Sequence, residues 1–66
     1  MQENDTLLTT KGFADYAVIS ERTAIRYRNR REGPPWIRVG GQVRYRKSDV
    51  DAWLNKNRVE PVREVV

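Results

Sequence analysis

Apolar and polar residues alternate with a helical period soon after the start of the chain. Thr9 or Thr10 can cap a helix at this point, because a threonine hydroxyl accepts a hydrogen bond from the first turn. Three apolar residues then fall on one helical face: Phe13, Ala14 and Ala17. The β-branched residues Val18 and Ile19 break the pattern. The spacing therefore predicts a first helix that ends before Val18.

A second helix is predicted over residues 20–31, in the run SERTAIRYRNRR. Ser20 can cap its start, and Glu21 places a negative charge in the first turn, where the helix dipole favours it. The expected core contacts are Ala24 and Tyr27, with Ile25 as a third candidate. The residues expected to project outward are Arg22, Thr23, Arg26, Asn29 and Arg30. Glycine and proline at 33–35 should end the helix.

The two helices are separated by about three residues, a spacing compatible with a helix-turn-helix. A third helix is predicted in KSDVDAWLNKNR, where Ser48 can serve as the N-cap and the helix ends near Asn57 or Arg58. Two carboxylates fall in its favourable first turn: Asp49 and Asp51. Three apolar residues share one face: Val50, Trp53 and Leu54. This spacing favours Trp53 as a core residue over a platform for base stacking.

Between the second and third helices, the run WIRVGGQVRYR (residues 36–46) predicts a β-hairpin, and two registers compete. A two-residue turn at Gly40–Gly41 would place Ile37 opposite Arg44 and mix apolar with charged residues on each face. A three-residue loop, Gly40–Gln42, would instead place Arg38 opposite Arg44 and leave one face wholly apolar. That face would consist of Ile37, Val39, Val43 and Tyr45. We predict the three-residue loop, with the apolar face on the helices and the arginines facing away.

Charge is concentrated in the middle of the chain. Residues 22–47 hold nine basic residues, eight of them arginine, against the single acid Glu32, a local charge of +8 within a net charge of +4. Arginine pairs with phosphate and with the edge of guanine through two-point contacts. The cluster therefore indicates a polyanionic partner, with a merely solvated surface and a protein-interaction module as the weaker alternatives.

Several classes of function lose support from composition. The chain of 66 residues has no cysteine and no histidine, so we expect no disulfide, no zinc site and no metal or other cofactor. No glycine-rich phosphate loop is present, and the acids at positions 49 and 51 are explained by the third helix, so we expect no enzymatic activity. Neither a signal peptide nor a membrane-spanning run is visible, which predicts a cytoplasmic protein. The expected organisation is a flexible terminus (1–6), one domain (7–58) and a tail (59–66).

These elements together describe an α+β winged helix-turn-helix, with three helices and a two-stranded antiparallel hairpin as the wing. The runs GPPWIRVGGQVRYRKSDVDAWL and LLTTKGFADYAVISERTAIRYRNRR resemble the two halves of the excisionase, or recombination directionality factor, family. That family is similar in fold to the DNA-binding domain of MerR-type regulators. The chain departs from the family pattern at Val18, where the turn often has glycine, and at Arg31, where a glycine can end the helix. Arg31 suggests a slightly longer second helix.

The resemblance implies that the second helix enters the major groove of double-stranded DNA and that the hairpin contacts the backbone or the minor groove. Its candidate residues on the helix are Ser20, Arg22, Thr23, Arg26, Arg28, Asn29 and Arg30. Arg28 is ambiguous, because it lies four residues after Ala24 and its stem could cover the core. The candidate residues on the wing are Arg38, Gly40, Gly41, Gln42, Arg44 and Arg46.

Two roles in DNA binding follow from the resemblance. As an excisionase of a phage or mobile element, the protein would bind cooperatively in several copies beside an attachment site, bend the DNA and direct an integrase toward excision. As a small MerR-like repressor, it would bind an operator, usually as a symmetric dimer. No long dimerisation helix follows the third helix in this sequence, which favours the first role. In either case we expect it on DNA in a bacterial cytoplasm.

Overall fold

The computed structural model describes residues 5–59, which fold into three helices and a three-stranded antiparallel sheet. The elements follow one another as β1 (Leu7–Leu8), α1 (Thr10–Ala17), α2 (Glu21–Asn29), β2 (Ile37–Val39), β3 (Gln42–Arg46) and α3 (Lys47–Lys56). This is the predicted α+β winged helix-turn-helix, with β1 as a strand that we did not predict. Among the described residues, no helix is long and apolar enough to cross a membrane.

The starts of α1 and α2 confirm the capping predictions. The Thr9 hydroxyl accepts a hydrogen bond from the Gly12 N–H at 2.9 Å, and the Ser20 hydroxyl accepts one from the Thr23 N–H at 3.0 Å. Both residues have extended backbones, as helix N-caps require. Local hydrogen bonding thus fixes where each helix of the pair begins.

The ends of the same two helices are closed by left-handed residues that are not glycine. Val18 ends α1 with φ of 59°, and Arg31 follows α2 with φ of 59°. After each helix, two N–H groups bond back to the last turn, such as Glu32 N–H to the Tyr27 carbonyl at 2.9 Å. This is the Schellman arrangement. The prediction of a longer second helix was wrong, because α2 ends at Asn29. The left-handed residue that turns the chain after it is Arg31, not Gly33.

The start of α3 corrects another prediction. Ser48 is not the N-cap, since Arg46 holds that position and makes no side-chain cap bond. The Asp5 carboxylate supplies the acceptor instead, taking hydrogen bonds from the Ser48 N–H at 3.1 Å and the Ser48 hydroxyl at 2.9 Å. The Lys47 N–H donates to the Thr6 carbonyl at 2.8 Å. Asp5 and Thr6, which belong to the segment 1–6 that we expected to be flexible, thus both bond to the start of α3.

The sheet has the order β1–β3–β2, and its hairpin has the register that we rejected. Ile37 pairs with Arg44, Arg38 with Val43, and Val39 with Gln42. The loop is therefore the two-residue turn Gly40–Gly41, with φ of 57° and 83°. Positive φ at both central residues matches the right-handed twist of a hairpin, and two adjacent glycines allow it without strain. This turn chemistry outweighs the segregation of apolar residues onto one face.

A small core joins the helices to one face of the sheet. Its fully buried members are Phe13, Ala14, Ala24, Tyr45 and Val50. The rings of Phe13 and Tyr45 lie 4.6 Å apart between centroids, and Trp53 meets Phe13 edge-on at 5.7 Å. The Trp53 indole N–H donates to the Glu32 carbonyl at 3.0 Å. Trp53 is thus a core-packing residue, as predicted, whereas Ile25 and Leu54 are each 37% exposed.

Candidate DNA-binding surface

The outward face of α2 carries most of the residues predicted for the recognition helix. Arg22, Arg26, Asn29 and Arg30 are all exposed. They recur at intervals of three and four residues, so they lie in a row along one side of the helix. Two more predicted residues, Ser20 and Thr23, stand at the start of the helix, where the Ser20 hydroxyl donates to the Thr23 hydroxyl at 2.9 Å. The helix thus presents three guanidinium groups and an amide on a single face.

Acidic neighbours compensate the charge of some other basic residues but not of this row. Within residues 5–59, no acid forms an ion pair with Arg22, Arg26 or Arg30. Lys11, in contrast, has its pKa raised first by a hydrogen bond with Asp15, which lies 3.0 Å away. The pKa of Lys47 is also raised, first by a hydrogen bond with Tyr16 and next by the charge of Asp51. The α2 row is therefore a place where positive charge remains open to an anionic partner.

The observed register divides the wing arginines between the two faces of the hairpin. Residues alternate along a strand, so Gln42, Arg44 and Arg46 lie on the outer face, opposite the face that carries buried Tyr45. Arg38 pairs with Val43 and lies on the same side as Tyr45, where its guanidinium sits 5.7 Å from the Trp36 ring centroid. The predicted single basic face of Arg38, Arg44 and Arg46 was wrong.

Apolar residues share the outer face with these arginines. Val39 is 48% exposed and Leu7, opposite Arg46, is 46% exposed. The Arg44 guanidinium is half-buried and donates to the Val43 carbonyl at 2.7 Å, and Arg46 lies 3.8 Å from the Asp5 carboxylate. The outer face is therefore mixed, and the two arginines on it are each already held by an acceptor.

The tip of the wing is narrow. Gly40 and Gly41 are exposed, and a side chain added at either would meet no other atom within 4 Å. Only two residues separate the strands there, so the backbone itself forms the leading edge. A slim edge of this kind suits a close approach to a phosphate backbone or to a narrow groove.

A groove connects the wing to the helices. Its lining comes from the start of α1, from α2 and from the wing tip: Thr9, Thr10, Lys11, Glu21, Arg28, Gly41, Gln42, Val43 and Arg44. Predicted site residues from the helix (Arg28) and from the wing (Gly41, Gln42 and Arg44) thus line the same depression. The exposed arginines of α2 are not part of this lining.

Arg28 differs from the other arginines of α2 because its side chain turns inward. It is half-buried, and its Nη1 donates to the Thr10 hydroxyl at 3.0 Å and to the Tyr45 hydroxyl at 3.2 Å. Of the two possibilities for Arg28, a contact with DNA or a stem that covers the core, the geometry therefore favours the second. The sequence analysis missed both acceptors. Thr10 and Tyr45 lie far from Arg28 in the sequence, and nothing near either residue indicates that its hydroxyl bonds to Arg28.

The fold and this surface define a small winged helix-turn-helix whose second helix and wing carry arginine. The sequence model of the family described as Helix-turn-helix domain matches residues 7–58, which is well over half of the chain. The chain belongs to this family, and it is a DNA-binding helix-turn-helix protein. A search of curated protein sequences finds no match to it.

Proposed function

We propose that this protein is a sequence-specific architectural DNA-binding protein that acts as an excisionase for a phage or mobile element. The observation that carries the DNA-binding surface is the row of exposed arginines on α2, which has no acidic partner within residues 5–59. The excisionase role rests on the resemblance of the two halves of the sequence to that family. We propose no catalytic step, and an integrase would supply the strand exchange.

In this proposal α2 lies in the major groove. Arg22, Arg26 and Arg30 reach base edges or phosphates, and Asn29 provides an amide of the kind that pairs with adenine. Ser20 and Thr23 sit at the positive end of the helix dipole, where hydroxyl groups suit a phosphate. The glycine tip of the wing approaches the neighbouring backbone, together with the side chains of Gln42 and Arg44.

Binding by several copies is part of the proposal. A single module of this size buries only about 600 to 1,000 Å² of protein surface on DNA, so tight binding calls for neighbouring copies. The tail proposed to mediate contacts between copies, or with an integrase, falls at residues 59–66, and residues 60–66 lie outside the described part of the chain. The loop of the hairpin, Gly40–Gly41, is the second segment proposed for such contacts. It lies within the described part of the chain and is exposed.

The alternative function is that of a small MerR-like repressor at an operator, and footprinting separates the two. We would footprint the protein on the DNA that flanks its own gene and measure bending of the protected fragment by gel mobility. An excisionase should protect several phased, directly repeated sites beside an attachment site and bend the fragment. One palindromic site over a promoter would overturn the excisionase role in favour of the repressor.

Salt dependence tests the DNA-binding surface itself. Neutralising about five phosphates predicts a slope near −4.5 for log affinity against log salt concentration, whereas a protein-interaction module should respond far less. Arg26→Gln should make the slope shallower by about 0.9 if it contacts phosphate, or relax base preference if it reads a base. Lys56→Gln, which removes a charge from the end of α3, is the matched control and should change neither.

A further inference from the structure

One arginine joins the second helix both to the first helix and to the wing. Arg28 lies in α2, Thr10 is the first residue of α1, and Tyr45 is in β3 of the wing. A single nitrogen, Nη1 of Arg28, donates to both hydroxyls, at 3.0 Å and 3.2 Å. Since Nη1 carries two N–H groups, the two hydroxyls use both of them. The bond to Tyr45 is the side-chain hydrogen bond that links α2 to β3 within residues 5–59.

The acceptors are themselves fixed in place. Tyr45 is 1% exposed, and its ring packs 4.6 Å from that of Phe13. Thr10 begins α1 immediately after the residue that caps it. The guanidinium is therefore held between two rigid positions, and its planar geometry restricts the angle at which α2 can lie relative to the wing.

We propose that Arg28 is a positioning residue that sets the orientation of α2 relative to the wing, and that it acts on DNA affinity without contacting DNA. This inference rests on the proposed function of α2 and the wing as one DNA-binding surface. A helix in the major groove and a wing on the backbone bind together only if their separation matches that of the duplex. Changing the link should therefore weaken binding even when every DNA-contacting side chain remains.

Tyr45→Phe is the sharpest test, because it removes one acceptor from a side chain that DNA cannot reach. The probe would be a duplex that the wild-type chain selects from a random pool, with affinity measured at several salt concentrations and the folded fraction checked by circular dichroism. We expect Tyr45→Phe and Thr10→Val each to lower the affinity of the folded protein, and Arg28→Gln to lower it about tenfold. The salt slope should equal that of the wild type in all three.

Two comparisons make the result decisive. Because the groups act through one link, Arg28→Gln combined with Tyr45→Phe should bind no more weakly than Arg28→Gln alone. Arg28→Lys keeps the charge but lacks the planar fork, so it should not restore full affinity. Lys56→Gln corrects for the loss of one positive charge that Arg28→Gln entails.

Other outcomes would overturn the inference. A slope shallower by about 0.9 in Arg28→Gln, beyond that of Lys56→Gln, would make Arg28 a phosphate contact. Unchanged affinity of folded Tyr45→Phe and Thr10→Val would leave the link with a role in stability alone. If Arg28→Gln does not fold, these two variants decide the matter. Failure of the wild-type chain to select any duplex would instead count against the proposed function.

Discussion

The helix-turn-helix half of the molecule and the sheet half are held by different kinds of contact. In the pair α1 and α2, each capping hydroxyl lies three residues from the N–H that it accepts. In the sheet half, Asp5 holds Ser48 across 43 positions of sequence, and Leu8 pairs with Tyr45. The first half is therefore specified locally, and the second depends on the two ends of the domain coming together.

The two halves also differ in how they turn. The hairpin uses glycine for its two left-handed residues, Gly40 and Gly41, whereas the helix ends place Val18 and Arg31 in that conformation. A left-handed backbone costs roughly 1 to 2 kcal/mol for a residue with a Cβ. The hairpin turn is thus close to its best local sequence, and the helix ends are not. Four substitutions test these contrasts, from the largest expected effect to the smallest.

Asp5→Ala should produce the largest loss of stability. The Asp5 side chain is 4% exposed, accepts two hydrogen bonds from Ser48 and lies 3.8 Å from Arg46. Removing it leaves the start of α3 without its acceptor, and we expect a cost of about 2 kcal/mol in the free energy of unfolding. For a domain of this size that corresponds to a fall in Tm of about 8 to 16 °C, measurable by thermal denaturation.

The matched control is Asp15→Ala. Asp15 forms an ion pair with Lys11 at 3.0 Å, but both side chains are about two-thirds or more exposed, at 68% and 71%. Surface pairs of this kind contribute little, so we expect a change within about 0.5 kcal/mol. Equal effects of the two substitutions would mean that the long-range cap contributes no more than a surface ion pair, and the contrast between the halves would fail.

The sequence predicted the helix-turn-helix half well for the same reason that this half is local. Periodicity located the buried residues Phe13 and Ala24, and a hydroxyl next to each helix start identified the caps. The end of α2 was missed because Arg31 takes a conformation usually left to glycine. The preference for glycine at a left-handed position is only statistical. At Arg31 the hydrogen bonds that close the last turn stabilise the left-handed backbone without glycine.

The sheet half was predicted less well, for two different physical reasons. The partner of Ser48 could not be found from spacing, since Asp5 is remote in sequence and nothing near it marks the pairing. The hairpin register, by contrast, could be predicted from the local sequence. The error was to give the segregation of apolar residues more weight than the two adjacent glycines. Two glycines in a row specify a two-residue turn, and the mixed outer face that follows, with Val39 beside Arg44, is the cost of that choice.

The candidate site was predicted in composition more than in arrangement. The exposed row on α2 is where the sequence placed it, because helical spacing alone determines which residues share a face. The separation of Arg38 from Arg44 and the inward turn of Arg28 depend on register and on tertiary contacts. Which of these residues touch DNA stays a prediction.

Gly41→Ala should have the second-largest effect and tests the turn directly. Gly41 has φ of 83° and open space around it, so the substitution introduces backbone strain without a clash. We expect a cost of about 1 to 2 kcal/mol, seen as a lower denaturation midpoint in urea with an unchanged slope. Gly40→Asn is the control, since it creates the Asn-Gly pair that this turn type prefers and should be neutral or slightly stabilising.

A third variant, Gln42→Gly, gives opposite signs for the two hairpin registers. In the observed register Gln42 is a strand residue paired with Val39, and glycine there should cost about 0.5 to 1 kcal/mol. In a three-residue loop Gln42 would adopt a left-handed conformation, and glycine would stabilise it. A more stable Gln42→Gly protein would therefore refute the two-residue turn.

Val18→Gly should have an effect no larger than that of Gln42→Gly, and of the opposite sign. Val18 is 86% exposed, so truncation loses almost no burial, while φ of 59° is strained for a β-branched side chain. Relief of that strain, less the extra entropy of glycine in the unfolded chain, should raise the free energy of unfolding by about 0.5 to 1 kcal/mol. Val18→Ala keeps a Cβ and should gain less. A loss of stability in Val18→Gly would show that valine is favoured at this turn, and the helix ends would then be as well matched to their backbone as the glycine turn of the wing.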